Sequence, residues 1–243
     1  MTQLLLETAT EVCSVAVARD GVILAERTAT EVHRHASHLT LFIREALEKA
    51  AVRMDELEEI VLSDGPGSYT SLRVGAATAK GLCVALPGLR LRVVPTLAAL
   101  ALAARSKDPV LATINSRRGE VYGQLFFGEE TYSANEKPGL ENIHPLRLEP
   151  QNIRLTEPDW WERIATAAGR GYITVVGSGQ QRVWDAGGDA SLTGFAGPER
   201  CSSVHLLAPA AAPQWSRVVD VASYEPFYLN PPFVTKSTKK PLG

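Results

Sequence analysis

The sequence predicts an α/β protein of two related lobes, each of mixed sheet plus helices, with residues 1–105 in the first and 106–243 in the second. Three observations carry this prediction. The chain opens with three short strand-type runs joined by tight turns. Helix-type and strand-type runs alternate beyond them. A strand followed by a glycine turn occurs in each half, at Asp64-Gly65-Pro66-Gly67-Ser68 and at Gly177-Ser178-Gly179.

Each element has its own signal. Leu4–Thr8 and Cys13–Ala18 are apolar runs, Asp20-Gly21 reads as a hairpin turn, and Val22–Thr28 is the third strand. A helix over 37–51 follows, with Ser37 as its N-cap. Leu39, Phe42, Ile43, Ala46, Leu47 and Ala50 recur there at helical spacing. Glu59–Ser63 is a strand, and a second helix runs from about Ser71 to Ala85, closed by Pro87-Gly88. Leu91–Val94 reads as a strand and Thr96–Ala104 as a helix. The first half is therefore β-β-β-α-β-α-β-α. That is the ribonuclease-H-like layout on which actin-like ATPase domains are built, an analogy at the level of topology.

The second half repeats the theme less clearly. Val110–Ile114 and Val121–Phe127 read as strands flanking the polar turn Asn115–Gly119. Residues 131–157, with Pro138, Pro145 and Pro150, read as a loop-rich connection. Trp160–Ala168 is a helix and Tyr172–Val176 a strand, whereas Asp189–Pro213, rich in Gly, Ala and Pro, has no assignable period. The last segment, Lys236–Gly243, should fray.

Composition excludes several classes of function. Lys and Arg total 25 against 27 Asp and Glu, so no global basic field draws the chain to nucleic acid. Any RNA contact must come from a partner or from a local patch, such as Arg117 and Arg118 or the tail residues Lys236, Lys239 and Lys240. Cys13, Cys83 and Cys201 lack the spacing of a disulfide framework or zinc site. The start, MTQLLLETATE, has no basic n-region, and the apolar stretches fall well short of a bilayer span. The expectation is a cytoplasmic protein without membrane contact.

Candidate chemistry lies at the strand ends. Gly65 and Gly67 bring main-chain N–H groups toward a bound group, and Ser68 and Thr70 can cap the helix that follows. A phosphate would suit that geometry. The Gly-Lys-Ser/Thr ending of a Walker A loop is missing, and from spacing alone a tight turn that binds nothing is the better reading. Glu7, followed by Thr8 and Thr10, stands where actin-like ATPases place the acid and hydroxyls that face phosphates and magnesium. Asn115 at the corresponding end in the second half leaves that equipment incomplete. Ser68 and Ser178 lie in glycine turns but lack the G-x-S-x-G elbow of a serine hydrolase. His33, His35 and His38 read as a solvated or capping cluster, because no carboxylate or cysteine beside them completes a metal shell.

The helix after the glycine turn carries small residues in two stripes, Gly75 with Ala79, and Ala77 with Gly81 and Ala85. Such spacing lets another helix approach closely. On the preceding helix, Leu41 lies near His38, Glu45 and Glu48, away from the apolar stripe. Together these features predict a helix-pair surface offered to another subunit.

Four segments resemble the TsaB family, also called YeaZ, in order and spacing: Glu7–Val17, Asp64–Gly75, Asn115–Tyr122 and Tyr224–Leu229. The resemblance implies an actin-like (ASKHA) fold and a part in making N6-threonylcarbamoyladenosine (t6A) at tRNA position 37. It implies pairing with the TsaD transferase together with the ATPase TsaE, homodimers in isolation, and tRNA reached indirectly through the complex. The partner interface would use His38, Leu41, Glu45, Val74, Ala77, Thr78, Gly81 and Ala85. Glu7, Thr8, Thr10, Gly65, Gly67, Ser68 and Ser178 would be vestigial nucleotide contacts. No catalytic residue, metal site or intrinsic cofactor is expected, with ATP and magnesium only in the complex. The family usually carries Asp where Glu7 and Asn115 stand, and Gly where Ser71 stands. The competing reading is an independent ATPase or phosphotransferase using Glu7 and the Gly65–Ser68 turn.

Overall fold

A computed structural model describes residues 1–29, 35–127, 149–191, 193–195 and 197–231. The first lobe contains β1 (Thr2–Glu7), β2 (Cys13–Arg19), β3 (Val22–Ala29), α1 (His35–Ala50), β4 (Glu59–Ser63), α2 (Tyr69–Ala85), β5 (Arg90–Val94) and α3 (Thr96–Ala104). The second contains β6 (Val110–Asn115), β7 (Glu120–Phe126), β8 (Gln151–Arg154), α4 (Trp160–Ala167), β9 (Ile173–Val176), α5 (Gln180–Asp185) and β10 (Thr193–Gly194). A short helical stretch over residues 203–210 and β11 (Arg217–Val219) follow.

The strand orders are β11-β5-β4-β1-β2-β3 and β10-β9-β6-β7-β8. Setting β11 aside, the two orders are the same when strands are counted from the start of each lobe. In both, the first strand pairs antiparallel with the second and parallel with the fourth. The second pairs antiparallel with the third, and the fourth parallel with the fifth. This repeated ribonuclease-H-like sheet gives the chain its two-lobed, actin-like α/β architecture.

Burial explains the clearest elements. β1 and β4 are central strands buried on both faces, which is why TQLLLE and EIVLS read as nearly continuous apolar runs. α3, TLAALALAA, is apolar all round because both sheets cover it. It packs with Leu5, Ala16 and Val61 of the first sheet and with Val110, Ala112, Ile114 and Val176 of the second. α1 and α2 cover the other face of the first sheet, over Leu4, Leu6, Val15, Val17, Ile60 and Leu62. α4 covers the outer face of the second.

Several boundaries and assignments differ from the sequence reading. α1 starts at His35, ahead of the expected Ser37 cap. α2 starts at Tyr69 with Ser68 as its N-cap, the Ser71 N–H donating to Ser68 Oγ at 3.5 Å, so Thr70 lies inside the helix and caps nothing. β8 falls within the stretch read as loop, and β10 and the 203–210 turns fall within the unassigned stretch. β11 pairs antiparallel with β5, so these three residues belong to the first lobe's sheet and not to the second lobe, where the sequence placed them. The connection at 128–148, His33 and the tail lysines Lys236, Lys239 and Lys240 lie outside the described residues.

Candidate functional site: two strand ends and a bare helix face

Glu7 closes β1 but does not face solvent; its side chain is completely buried. Oε1 accepts from the Ala9 N–H at 2.7 Å and the Thr10 N–H at 3.3 Å. The carboxyl is folded back over its own loop and takes the amides that a phosphate would need. Burial pushes its pKa up to about 7, against the opposing pull of the nearby Ser63 hydroxyl and the loop amides. Ser63 Oγ accepts from the Thr8 N–H at 3.2 Å. Glu7 Oε2 and Thr8 Oγ1 are both buried without a hydrogen-bond partner. The buried Cys201 thiol lies against the same carboxyl and is pushed up by burial and by that acid. Thr10 is buried as well and accepts from the Val12 N–H at 3.4 Å.

The glycine turn is tight because the chain itself approaches it. A Cβ on Gly67 would stand 2.0 Å from the Ala9 carbonyl oxygen, and that oxygen accepts from the Ser68 N–H at 2.7 Å. Gly65, at φ +106°, would place a Cβ 2.5 Å from the Phe227 carbonyl oxygen. Two carbonyl oxygens therefore press on a turn that could otherwise receive an anion. In the second lobe, Gly177 approaches the Thr113 carbonyl in the same way, and Ser178 Oγ accepts from the Asn115 N–H at 3.1 Å. Asn115 is exposed and brings an amide, with no charge, to the end of β6. These groups do not fit a magnesium-bound nucleotide: the acid is turned inward, the loop amides are taken, and carbonyls face the slot. Among the described residues, no three His, Cys, Asp or Glu side chains could hold a metal ion together.

The two small-residue stripes of α2 serve different surroundings. Gly75 and Ala79 are buried, and a Cβ on Gly75 would meet Thr8 Oγ1 at 2.2 Å and Leu62 Cδ1 at 3.1 Å. Ala77, Gly81 and Ala85 are exposed, nothing stands within 4 Å of a Cβ on Gly81, and Val84 beside them is 77% exposed. Val74 and Thr78 are half-buried, and Val74 packs against the core that α1 and α2 share. On α1, Leu41 is half-buried, His38 packs on Phe42 with ring centroids 5.5 Å apart, and Glu45 pairs with Arg27 of β3 at 3.0 Å. The predicted interface residues thus lie on two neighbouring helices, although Glu45 is already engaged within the chain.

Sequence reasoning missed Asp64, taking it only as the first residue of the glycine turn. It is buried, and its carboxylate accepts from the Tyr224 hydroxyl at 2.9 Å and from Arg217 Nη2 at 2.8 Å. Its carbonyl accepts from the Phe227 N–H at 2.9 Å. Burial and the neighbouring carboxylate push the Tyr224 hydroxyl far above the ordinary tyrosine range. Lys80 Nζ donates to the Tyr224 carbonyl at 3.0 Å, and the Tyr69 and Tyr228 rings meet at 4.7 Å. The segment around Tyr224 is therefore lashed along one flank of α2. The only signal in sequence was that both ends lie in segments resembling one family.

Fold and site together define an actin-like, two-lobed α/β protein whose strand ends are closed on their own backbone and whose second helix is bare along one side. A family model described as TsaD, tRNA N6-adenosine threonylcarbamoyltransferase, matches residues 22–137. The tRNA threonylcarbamoyladenosine biosynthesis protein TsaB of Escherichia coli K12 is 27% identical over 238 residues, 93% of each chain. The protein of that name in Bacillus subtilis 168 is 30% identical over 166 residues, 68% of this chain and 66% of the relative. The solved YeaZ structure from Pseudomonas aeruginosa shares the fold, with a TM-score of 0.67 at 24% identity over 94% of this chain and 99% of that one. The transferase model covers less than half of the chain, whereas the Escherichia coli TsaB match runs nearly end to end. The chain belongs to the TsaB (YeaZ) family.

Proposed function

We propose that this chain is a non-catalytic partner subunit needed to form t6A at tRNA position 37. It pairs with and supports a TsaD-type transferase, together with a TsaE-type ATPase, and forms homodimers when alone. It works in the cytoplasm; among the described residues, no helix is long and apolar enough to cross a membrane. It holds no nucleotide or metal of its own, and ATP and magnesium act only in the assembly. The names of the relatives support the pathway.

One observation carries the subunit role. Of two small-residue stripes on α2, one is consumed by the chain's own sheet, and the other is bare beside an exposed valine. Glycine inside a helix costs about 1 kcal/mol relative to alanine, and among the described residues no atom lies within 4 Å of a Cβ on Gly81 to require its absence. A helix from another polypeptide, approaching closely over Ala77, Gly81 and Ala85, supplies the missing contact. Affinity capture after co-expression with the cognate TsaD-type protein tests the reading. The wild type should be captured and Ala77→Arg should not; equal capture of both would overturn it.

A further inference from the structure

Between β10, which pairs with β9, and β11, which pairs with β5, the chain crosses from the second lobe back to the first. The crossing is pinned at three places. The Pro198 carbonyl accepts from the Gly177 N–H, just past β9, at 2.9 Å. Arg200 pairs with Glu11, on the loop after β1, at 3.7 Å. Residues 203–206 lie on β1, β2, β3 and β4. There the buried Ser203 bonds hydroxyl to hydroxyl with the buried Ser14 at 2.7 Å, and its N–H donates to Ser14 Oγ at 3.0 Å.

The acid of β1 belongs to this seam. Glu7 is the register partner of Ser14, and Ser14 of Thr28, so the three side chains share the face that the crossing covers. Ser14 and Thr28 are bonded at 2.8 Å, whereas Glu7 Oε2 is buried with no hydrogen-bond partner. Over that carboxyl lies the thiol of Cys201, a residue of the crossing. A charged oxygen in this place needs water. β1 is paired on both sides and cannot move away, while the crossing is seated by short turns and a pair of serines. Local opening of the crossing is therefore the cheapest way to let water in.

The neighbours leave the carboxyl without a counter-charge. The groups acting on it are the Ser63 hydroxyl of β4, the Cys201 thiol and the Ala9 and Thr10 amides, none of them a cation. The Cys13 thiol of β2 is pushed up by burial and by this acid. Asp64, past β4, has its own partners in Arg217 and Tyr224. Glu26 of β3 accepts from Ser14 Oγ at 3.3 Å, and His205, pushed down by burial against the pull of Glu26, accepts the Ser202 N–H on Nδ1.

We propose that the crossing is a latch governed by the charge on Glu7. The protonated acid keeps residues 200–206 seated on the strand ends; the carboxylate releases them and admits water. The device belongs to the chain alone and goes beyond the subunit role.

Native-state hydrogen exchange of the full chain tests it, with each rate divided by the intrinsic rate at that pH. With the acid at about 7 when the latch is closed and at an ordinary 4.5 when it is open, opening should rise about tenfold between pH 6 and pH 8. The amides of Cys201–Leu206 should show that rise without dependence on low urea. Those of Leu4–Leu6 should exchange only through urea-dependent global unfolding. Glu7→Gln should abolish the rise, and Ser203→Ala should increase opening at both pH values while keeping it. An equal rise in Glu7→Gln would assign it to another group, His205 included, and overturn the latch. So would exchange of Cys201–Leu206 only in step with Leu4–Leu6, or wild-type opening in Ser203→Ala.

Discussion

The Tyr224 hydroxyl donates to the buried Asp64 carboxylate at 2.9 Å, joining residues 160 positions apart. Arg217 takes the other carboxylate oxygen, so one buried acid anchors both β11 and the segment that runs along α2. Removing the hydroxyl leaves one carboxylate oxygen buried without its donor. Tyr224→Phe should therefore cost about 1 to 3 kcal/mol, read as a lower urea midpoint with an unchanged m-value. A midpoint equal to wild type would show that the bond holds nothing.

Glu7 gives the fold a dependence on pH. Its carboxyl is raised from an ordinary 4.5 to about 7, so the native state prefers it protonated. The associated stability is complete below pH 4.5 and is lost as pH rises through about 7. At about 1.4 kcal/mol per pH unit, the loss approaches roughly 3 kcal/mol. Glu7→Gln, which keeps an acceptor for the Ala9 and Thr10 amides, should flatten denaturation free energy between pH 5 and 8 and be the more stable protein at pH 8. The same slope in both proteins would contradict the assignment.

The two helix glycines should respond in opposite directions to one methyl group. At Gly75 the added Cβ would stand 2.2 Å from Thr8 Oγ1, and Gly75→Ala should cost about 1 to 3 kcal/mol. Gly81→Ala enters open space and should stabilise by up to about 1 kcal/mol. Thermal unfolding of the two variants decides, and a shift of the same sign in both would remove the distinction between the stripes.

Long elements with a full apolar period could be read directly. Central strands β1 and β4 and helix α3 declare themselves, because burial on every side leaves their stretches Leu4–Leu6, Ile60–Leu62 and Leu97–Ala104 unbroken by polar residues. The two residues of β10 and three of β11 carry less than a useful period, and their pairing comes from neighbours far along the chain. Glu7 read as a strand-end acid open to a ligand, since nothing local reveals that its own loop wraps it. Gly65 and Gly67 read as an anion cradle for a similar reason. The need for a residue without a Cβ is visible in sequence, but the Phe227 and Ala9 carbonyls that create it are not. Both stripes of α2 were visible as small residues four apart, yet only packing against Thr8 and Leu62 separates the buried stripe from the bare one.

The claim on which the account turns is that the bare stripe of α2 receives another polypeptide. Gly81→Trp, titrated calorimetrically against the cognate TsaD-type protein, measures it most directly, because the side chain there starts from a Cβ with no described atom within 4 Å. The account predicts unchanged Tm and at least a tenfold loss of affinity, about 1.4 kcal/mol or more. Wild-type affinity in that variant would contradict it.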